Sequence, residues 1–303
     1  MVWSKDKPHG ISGHVYEIIE YYLLLSNHYH VGIMFGDTFT CWNQFKRVIL
    51  EKYDIDSSKL SQIENATLFC NTPTYVKGSN ILIVDGGLKR LQRDGVKLMF
   101  DNIIVFKCSK YETIYDTLYE NVSVLQDNRV YSICNPEDTD ISINYRKKIY
   151  FKYFKDIKSV TTDTALIYAT SNCRYLSVAD LLDITDSYSF KNYLVITDQP
   201  WLYDDLERGD IVVKEPPVEN LFKKFDTYIY TPLKQVWDGS PRLPAECKYY
   251  GKSVIYHKID RKYLKIDAGL RVRKGDIENN FKDLYLDIFD NLIHIVNSIL
   301  CKV

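Results

Sequence analysis

The chain has 303 residues, 46% of them hydrophobic and 26% charged, with a formal net charge of -1. This composition is typical of a folded globular protein with room for two domains, and it excludes a purely electrostatic coat for nucleic acid. The sequence shows no apolar core of a secretory signal and no run of about 18 uncharged apolar residues, so we expect no membrane span. The seven cysteines form no CxxC pair, which favours reduced thiols and a cytoplasmic location.

In the first part of the chain, short apolar runs alternate with segments of helical spacing. Helical spacing occurs at residues 14–25 and 42–53, and a buried-strand pattern occurs at 30–37. The alternation continues through residues 66–70, 80–87, 88–95, 97–108, 111–121 and 122–127. Strands that alternate with helices indicate βαβ units and a mainly parallel sheet covered on both faces. Residues 128–144 are polar and rich in turn formers, so we place a linker there.

The alternation restarts after this linker, at residues 146–157, 164–170, 178–184, 191–198, 209–217, 218–225, 226–232 and 252–259. Residues 279–300 place apolar side chains on one face and predict an amphipathic helix. The fold class is therefore predicted as α/β, with two Rossmann-like, doubly wound domains that face a cleft and a closing C-terminal helix. We expect domains at residues 1–140 and 141–280, with the helix, residues 281–303, packing across both.

The stretch WDGSPRLPAECKYYGKSVIY, residues 237–256, predicts a short helix that starts just after a strand. Ser240 is a suitable cap, and Pro241 fits the first helical position. The free amides at the start of such a helix attract anions, and the guanidinium of Arg242 suits phosphate oxygens. Glu246, one turn later, would accept hydrogen bonds from a ribose diol. A phosphate contact and a ribose contact together describe a nucleotide site. The same spacing also fits an ordinary i,i+4 ion pair on a solvated face, and this alternative stays open.

Residues 212–256 resemble the nucleotide-sugar half of GT-B-fold glycosyltransferases, especially of the retaining group. That group carries an acidic residue, seven intervening residues and then a Glu in this helix, and Asp238 and Glu246 have this spacing. The family usually has Glu where Asp238 stands here. The resemblance implies that Glu246 binds the ribose and that Asp238 is a candidate catalytic residue. It also places the donor against Ser240, Arg242 and Leu243.

The resemblance implies further donor contacts outside this helix. The family places Gly-Arg, followed by a Lys, after the first strand of this domain, where they grip the diphosphate. Here Arg174 follows that strand, without the Gly and without the Lys. Lys214 or Arg242 is expected to supply the second positive charge, because negative charge builds on the departing diphosphate. The segment at Pro217 and Val218 matches the place where the base ring lies against the backbone.

The N-terminal stretch KPHGISGHVYEIIEYYLLL resembles the Gly-rich loop that opens the first helix of the family. Gly10 and Gly13 allow the backbone to approach a phosphate or a sugar closely. His14 is a candidate contact to donor or acceptor, and the alternative is a simple helix cap. Asp85 follows a strand that is predicted to end at the cleft, where it is a candidate acceptor contact. His14 and Asp85 therefore join the candidate catalytic residues.

Two basic stretches that are interleaved with aromatic residues are candidates for contact with a polyanion such as DNA. The candidate residues are Lys89, Arg90, Arg93, Lys147 and Lys148. The ordinary alternative is a pair of solvated helix faces. No metal site is predicted, since the acids at 137–141 lie in a turn-rich segment, and His28 and His30 lack an evident third ligand.

The function predicted from the sequence is that of a glycosyltransferase, either a hexosyl- or a pentosyltransferase. Its co-substrate is a nucleotide-sugar such as a UDP-sugar, and no other cofactor is required. The heavy use of Tyr, Lys, Ile, Asn and Asp suits an AT-rich genome and, with the basic stretches, favours a hydroxymethylated base of phage DNA as acceptor, in the host cytoplasm. A bacterial surface-polysaccharide glycosyltransferase and a non-catalytic nucleotide-sugar-binding protein are the alternatives. We expect a monomer whose binding partners are the nucleotide-sugar donor and duplex DNA.

Overall fold

The computed structural model of the protein describes residues 13–35, 42–69, 75–84, 97–106, 129–134, 143–144, 150–158, 160–170, 176–231, 242–257, 293–294 and 296–297. Contacts between Cα atoms divide the chain into two compact units. The first unit comprises Met1–Tyr153 and Asp283–Val303, and the second comprises Phe154–Lys282. Each unit is described by itself below.

Before the C-terminal residues, the described part of the first unit contains three α-helices, one short 3-10 helix and six strands. The helices are α1 (Gly13–Leu25), α2 (Trp42–Lys52) and α3 (Ser57–Asn65). Strands β1 (Ile33–Phe35) and β2 (Thr67–Phe69) form a parallel pair. A second parallel sheet has four strands in chain order, namely β3 (Tyr75–Val84), β4 (Lys97–Phe106), β5 (Arg129–Cys134) and β6 (Ile143–Asn144).

Two features of this unit differ from the pattern read in the sequence. Helix α3 was not predicted, although Asp56 caps it by accepting a hydrogen bond from Lys59 N at 2.7 Å. Its polar composition hides the apolar periodicity, because only Leu60 and Ile63 are buried. The predicted linker at 128–144 contains β5 and β6, whose backbone pairing continues the sheet despite the polar sequence around them.

Helix α1 buries a carboxylate as well as apolar side chains. Glu20 is fully buried, and its oxygens accept hydrogen bonds from the Tyr53 hydroxyl at 2.7 Å and from Tyr150 N at 3.2 Å. The Tyr153 hydroxyl also donates to Leu23 O at 3.0 Å. Since buried charges are tolerated only when they are hydrogen-bonded, these contacts fix the short 3-10 helix Phe151–Tyr153 against α1.

The second unit is a mixed α/β structure built on one parallel sheet. In chain order its elements are β7 (Thr164–Tyr168), α4 (Val178–Asp186), β8 (Asn192–Ile196), β9 (Ile211–Lys214), β10 (Thr227–Tyr230), α5 (Arg242–Tyr249) and β11 (Ser253–Tyr256). The five strands are all parallel, in the order β11-β10-β7-β8-β9. The α/β class and the parallel sheet that the sequence predicted are therefore confirmed, and the order is consistent with a Rossmann-like fold.

Side chains on the two faces of this sheet alternate, as expected for strands covered on both sides. One face packs against α4, through Ile167, Val195 and Ile229. The other face packs Leu166 and Tyr228 against α5 and the segment before β10, in a core that also holds Leu194, Phe222, Phe225 and Cys247. Helix α4 starts with a capping box, in which Ser177 and Asp180 bond each other's backbone.

The segment at 218–225, where helical spacing continues, forms only the short 3-10 helix Leu221–Lys223. Asn220, at its start, has a left-handed backbone with φ 51°, which interrupts helical geometry. Pro216 and Pro217 precede it and supply no backbone N–H. The chain therefore returns from β9 to β10 through a turn and not through a full helix.

Little of the predicted C-terminal helix lies among the described residues. Ile293, His294, Val296 and Asn297 are helical, and Val296 is buried. The way in which residues 281–303 pack stays a prediction. None of the helices that the structure describes has the length and apolar character needed to cross a membrane.

A matched pair of valine substitutions tests the core of the second unit. Val195 on β8 is 0% exposed, whereas Val212 on the edge strand β9 is 45% exposed. We expect Val195→Ala to lower the free energy of unfolding by about 2 kcal/mol, through lost burial and a residual cavity. Val212→Ala should change it by much less. Urea unfolding of both variants measures the difference, and equal effects would contradict the assigned strand faces.

The start of β10 gives a pH-dependent prediction. Burial alone would raise the pKa of Asp226, but hydrogen bonds from Thr162 N (2.6 Å) and the Thr162 hydroxyl (3.0 Å) outweigh it and hold that pKa below its usual value. A lowered pKa in the folded state stabilises the protein above the unfolded value of about 3.9, and this contribution disappears as the pH falls through the folded pKa. Asp226→Asn should therefore cost about 2 kcal/mol at pH 7 and progressively less below about pH 4.

Unfolding by denaturant at several pH values measures this dependence. The exposed Asp205→Asn is the matched control, and its effect should be small throughout. A cost of Asp226→Asn that is the same at acid and neutral pH would refute the proposed stabilisation of the ionised carboxylate.

Candidate functional site

From β7 the chain continues through β8 to β9, toward one edge of the sheet, and then through β10 to β11, toward the other edge. The direction therefore reverses between β7 and β10, which are neighbours in the sheet. In open α/β sheets, ligands bind at the carboxyl ends of the strands at such a switch point. Thr170 follows β7 and Thr231 follows β10, and both residues are buried. The Thr231 hydroxyl has no hydrogen-bond partner among the residues that the structure describes. A buried hydroxyl without a partner marks a place where a ligand or a water could bind.

Helix α5 begins at Arg242, after the chain has left β10, and its sequence defines where it ends. The Lys252 N–H donates to Cys247 O at 2.8 Å and the Gly251 N–H donates to Lys248 O at 3.1 Å. Gly251 has φ 70°, so it forms the left-handed C-terminal cap that favours glycine. This cap directs the chain straight into β11 and fixes the register of α5 over the sheet.

Arg242 and Glu246 form an ion pair within α5. The distance from Arg242 Nε to Glu246 Oε1 is 2.5 Å. The alternative expected from the spacing was a pair on a solvated face, but the side chains are only 11% and 4% exposed. The guanidinium also lies over the ring of Phe154, with its central carbon 5.8 Å from the ring centroid. The pair is therefore held in a largely dry environment beside an aromatic ring.

Tyr250 completes this buried group. Its ring packs on Phe222, with centroids 4.6 Å apart, and on Phe154, with centroids 6.1 Å apart. Burial, followed by the nearby charge of Glu246, raises the pKa of Tyr250, so that its hydroxyl stays protonated. That hydroxyl is buried and has no hydrogen-bond partner among the described residues. It is thus a neutral donor close to the Arg242–Glu246 pair.

Apolar residues predicted to contact the donor belong to the same region. Val218 and Leu243 are partly buried and pack against one cluster, together with Tyr250, Phe222 and Phe225. Pro217, next to Val218, is partly exposed. Val218 and Leu243 therefore share one apolar cluster, and Arg242 and Glu246 pair with each other.

Lys214 is placed differently from these residues. It is exposed at the end of the edge strand β9, in register with Ile196 of β8. Three strand spacings, about 14 Å of sheet, separate its backbone from Tyr230 at the end of β10. Of the two candidate cations, Arg242 is therefore the one that lies beside Glu246.

Several predicted residues lie outside the described part of the chain. They are Gly10, Asp85, Lys89, Arg90, Arg93, Lys147, Lys148, Arg174, Asp238 and Ser240. Gly13 and His14 form the first turn of α1, but the side chain of His14 also lies outside the description. Their contacts with a donor or an acceptor stay predictions. Within the described ranges, no group of three or more His, Cys, Asp and Glu side chains could hold a metal ion.

The sequence did not point to Phe154 or Tyr250, which lie close to the predicted pair, or to the buried Thr231 hydroxyl after β10. Phe154 is far from α5 in the sequence, and nothing in the pattern of apolar residues links them. Tyr250 sits beside the glycine that ends the helix, where aromatic residues are common in ordinary cores.

In comparisons with known proteins, no protein family, no curated protein and no solved structure matches the chain.

Removing one partner of the buried pair should destabilise the protein strongly. Arg242→Met leaves the Glu246 carboxylate buried without its guanidinium, at an expected cost of about 3 kcal/mol in the free energy of unfolding. Arg242→Met combined with Glu246→Leu removes both charges and should recover most of this loss. Thermal and urea unfolding of the variants measure the coupling.

Arg208→Met is the matched control, because Arg208 forms its ion pairs with Asp186 and Asp210 at a more exposed position. Its cost should be clearly smaller than that of Arg242→Met. Additive effects of the Arg242 and Glu246 substitutions would show that the two side chains do not interact in solution.

Proposed function

We propose that the protein is a glycosyltransferase that moves a sugar from a nucleotide-diphosphate donor, a UDP-sugar, to a hydroxyl acceptor. One observation supports this most directly: a buried Arg242–Glu246 pair at the start of a helix that follows the strand beside the switch point. The finer architecture belongs to the same proposal, namely a GT-B arrangement with a second Rossmann-like domain, a cleft and a closing C-terminal helix.

The two charged groups of the pair suit the two polar parts of such a donor. When the glycosidic bond breaks, its electron pair stays with the diphosphate, which gains negative charge. The Arg242 guanidinium and the amides that open α5 would stabilise this charge. Glu246 would accept hydrogen bonds from the ribose hydroxyls, as the resemblance to GT-B enzymes implies. Val218 and Leu243 offer an apolar surface for the base.

Donor binding then exchanges one set of charge contacts for another. In the free protein Arg242 and Glu246 neutralise each other in a buried position. A diphosphate brings its own negative charge to Arg242, and a ribose diol brings donors to Glu246. Both groups therefore remain compensated in the bound state, which buried charges require. A purely apolar pair at these positions would fill the space but would offer nothing to a nucleotide.

For the chemical step, Asp238, His14 and Asp85 remain the candidate catalytic residues. The acceptor that we propose is the hydroxymethyl group of a modified pyrimidine in duplex DNA. Lys89, Arg90, Arg93, Lys147 and Lys148 would then contact its phosphates. In the transfer, the acceptor oxygen bonds to the anomeric carbon, its proton passes to a base, and the nucleoside diphosphate leaves.

A panel of nucleotide-sugars tests donor binding by thermal shift and calorimetry. We expect at least one UDP-sugar to stabilise the wild-type protein, and Arg242→Lys to weaken its binding about tenfold or more, because lysine lacks the planar fork. This variant keeps the positive charge beside Glu246, so it should remain folded. Arg208→Lys is the matched control and should bind as the wild type does. Absence of binding by every donor would refute the proposal.

Transfer itself is measured as nucleoside diphosphate release with duplex DNA that contains hydroxymethylcytosine, against the same duplex with cytosine. Release that depends on the modified base is expected. Release with a polysaccharide acceptor only would favour the bacterial-surface alternative. Donor binding without turnover on any acceptor would favour a non-catalytic nucleotide-sugar-binding protein.

A further inference from the structure

A short turn after β8 holds two large apolar side chains in solvent. In the 3-10 helix Pro200–Tyr203, Trp201 is 60% exposed and Leu202 is 40% exposed. The next residue, Tyr203, is buried, and its hydroxyl donates to Leu176 O at 2.6 Å. The Leu206 N–H also donates to Tyr203 O at 3.1 Å. The turn is therefore anchored from below, and Trp201 is held outward in a defined position.

The charges that follow these two side chains have one sign. Asp204, Asp205 and Glu207 are exposed. The one base in this stretch, Arg208, is engaged by Asp186 at 3.0 Å and Asp210 at 2.8 Å. Between residues 198 and 210 the sequence carries five acids and one base. We call the set of Trp201, Leu202, Asp204, Asp205 and Glu207 the Trp201 surface.

We propose that the Trp201 surface binds a basic segment of another protein, in which lysines or arginines flank an apolar side chain. The tryptophan would act as the buried anchor, since exposed aromatic residues on rigid supports often dominate interface energies. The acids would pair with the basic residues at the rim and speed association. This proposal is independent of the proposed transferase activity.

The sign of the charge decides between this partner and other occupants of an exposed apolar site. Duplex DNA carries dense negative charge and would be repelled by the three acids. An anionic lipid surface would be repelled in the same way, although tryptophan and leucine would otherwise suit a bilayer interface. A basic protein segment satisfies both the apolar and the charged part of the surface.

Selection from a display library of random short peptides on the full-length protein tests the proposal. We expect enriched peptides to be basic with at least one large apolar residue, and their synthetic forms to bind with an affinity that falls as salt rises. Trp201→Ser should weaken this binding about 30-fold. Asp204→Asn/Asp205→Asn/Glu207→Gln should weaken it and remove its salt dependence.

The controls separate a surface effect from misfolding. Trp201→Ser should leave the melting temperature and the binding of nucleotide-sugars as in the wild type, because the side chain is exposed and distant in sequence from α5. Val212→Ala, which trims another exposed side chain, should leave peptide binding unchanged.

Three results would overturn the proposal. Enriched peptides that are acidic, or that bind Trp201→Ser as well as the wild type, would show that the surface is not the site. If duplex DNA or anionic vesicles bind in a way that depends on Trp201, the partner is a nucleic acid or a membrane and not a basic protein segment. Self-association of the wild type that Trp201→Ser abolishes would identify a second copy of the chain as the occupant.

Discussion

The buried ion pair between Arg242 and Glu246 is the interaction on which our interpretation of this protein depends. A guanidinium and a carboxylate that have both lost most of their water gain little stability over an apolar pair of similar size. Their presence in α5, the helix that follows β10, is therefore consistent with the donor-binding role that we propose. The ring of Phe154 lies beside the guanidinium, and burial and the charge of Glu246 raise the pKa of Tyr250, so that its hydroxyl stays protonated close to the pair.

Helix α5, which carries this pair, packs on the sheet of the second unit. In the five-stranded parallel sheet, β7 and β10 are neighbours, and apolar residues pack on each face. Helix α5 is limited by a proline-rich start and a glycine cap, so Arg242 and Glu246 lie in a short helix of fixed register. Thr231, directly after β10, has a buried hydroxyl without a partner among the described residues.

Much of this could be predicted from the sequence, because it depends on local patterns. Short runs of β-branched and aromatic residues predicted the strands of the second unit, and residues 237–256 predicted a short helix after one of them. The burial of the Arg242–Glu246 pair could not be predicted, since spacing alone fits a solvated pair equally well. It involves Phe154, which is remote in sequence. Helix α3, β5 and the turn at Asn220 were missed because polar residues or one left-handed residue overrode the apolar pattern.

The Arg242 side-chain Nε–H resonance, observed by NMR in selectively labelled protein, tests the central claim most directly. In the free protein we expect a resolved, slowly exchanging signal that Glu246→Gln shifts. A saturating UDP-sugar should move the same signal again, as the guanidinium turns from the carboxylate to the diphosphate. A signal that exchanges as fast as that of an exposed arginine, or one that no nucleotide-sugar changes, would contradict the account.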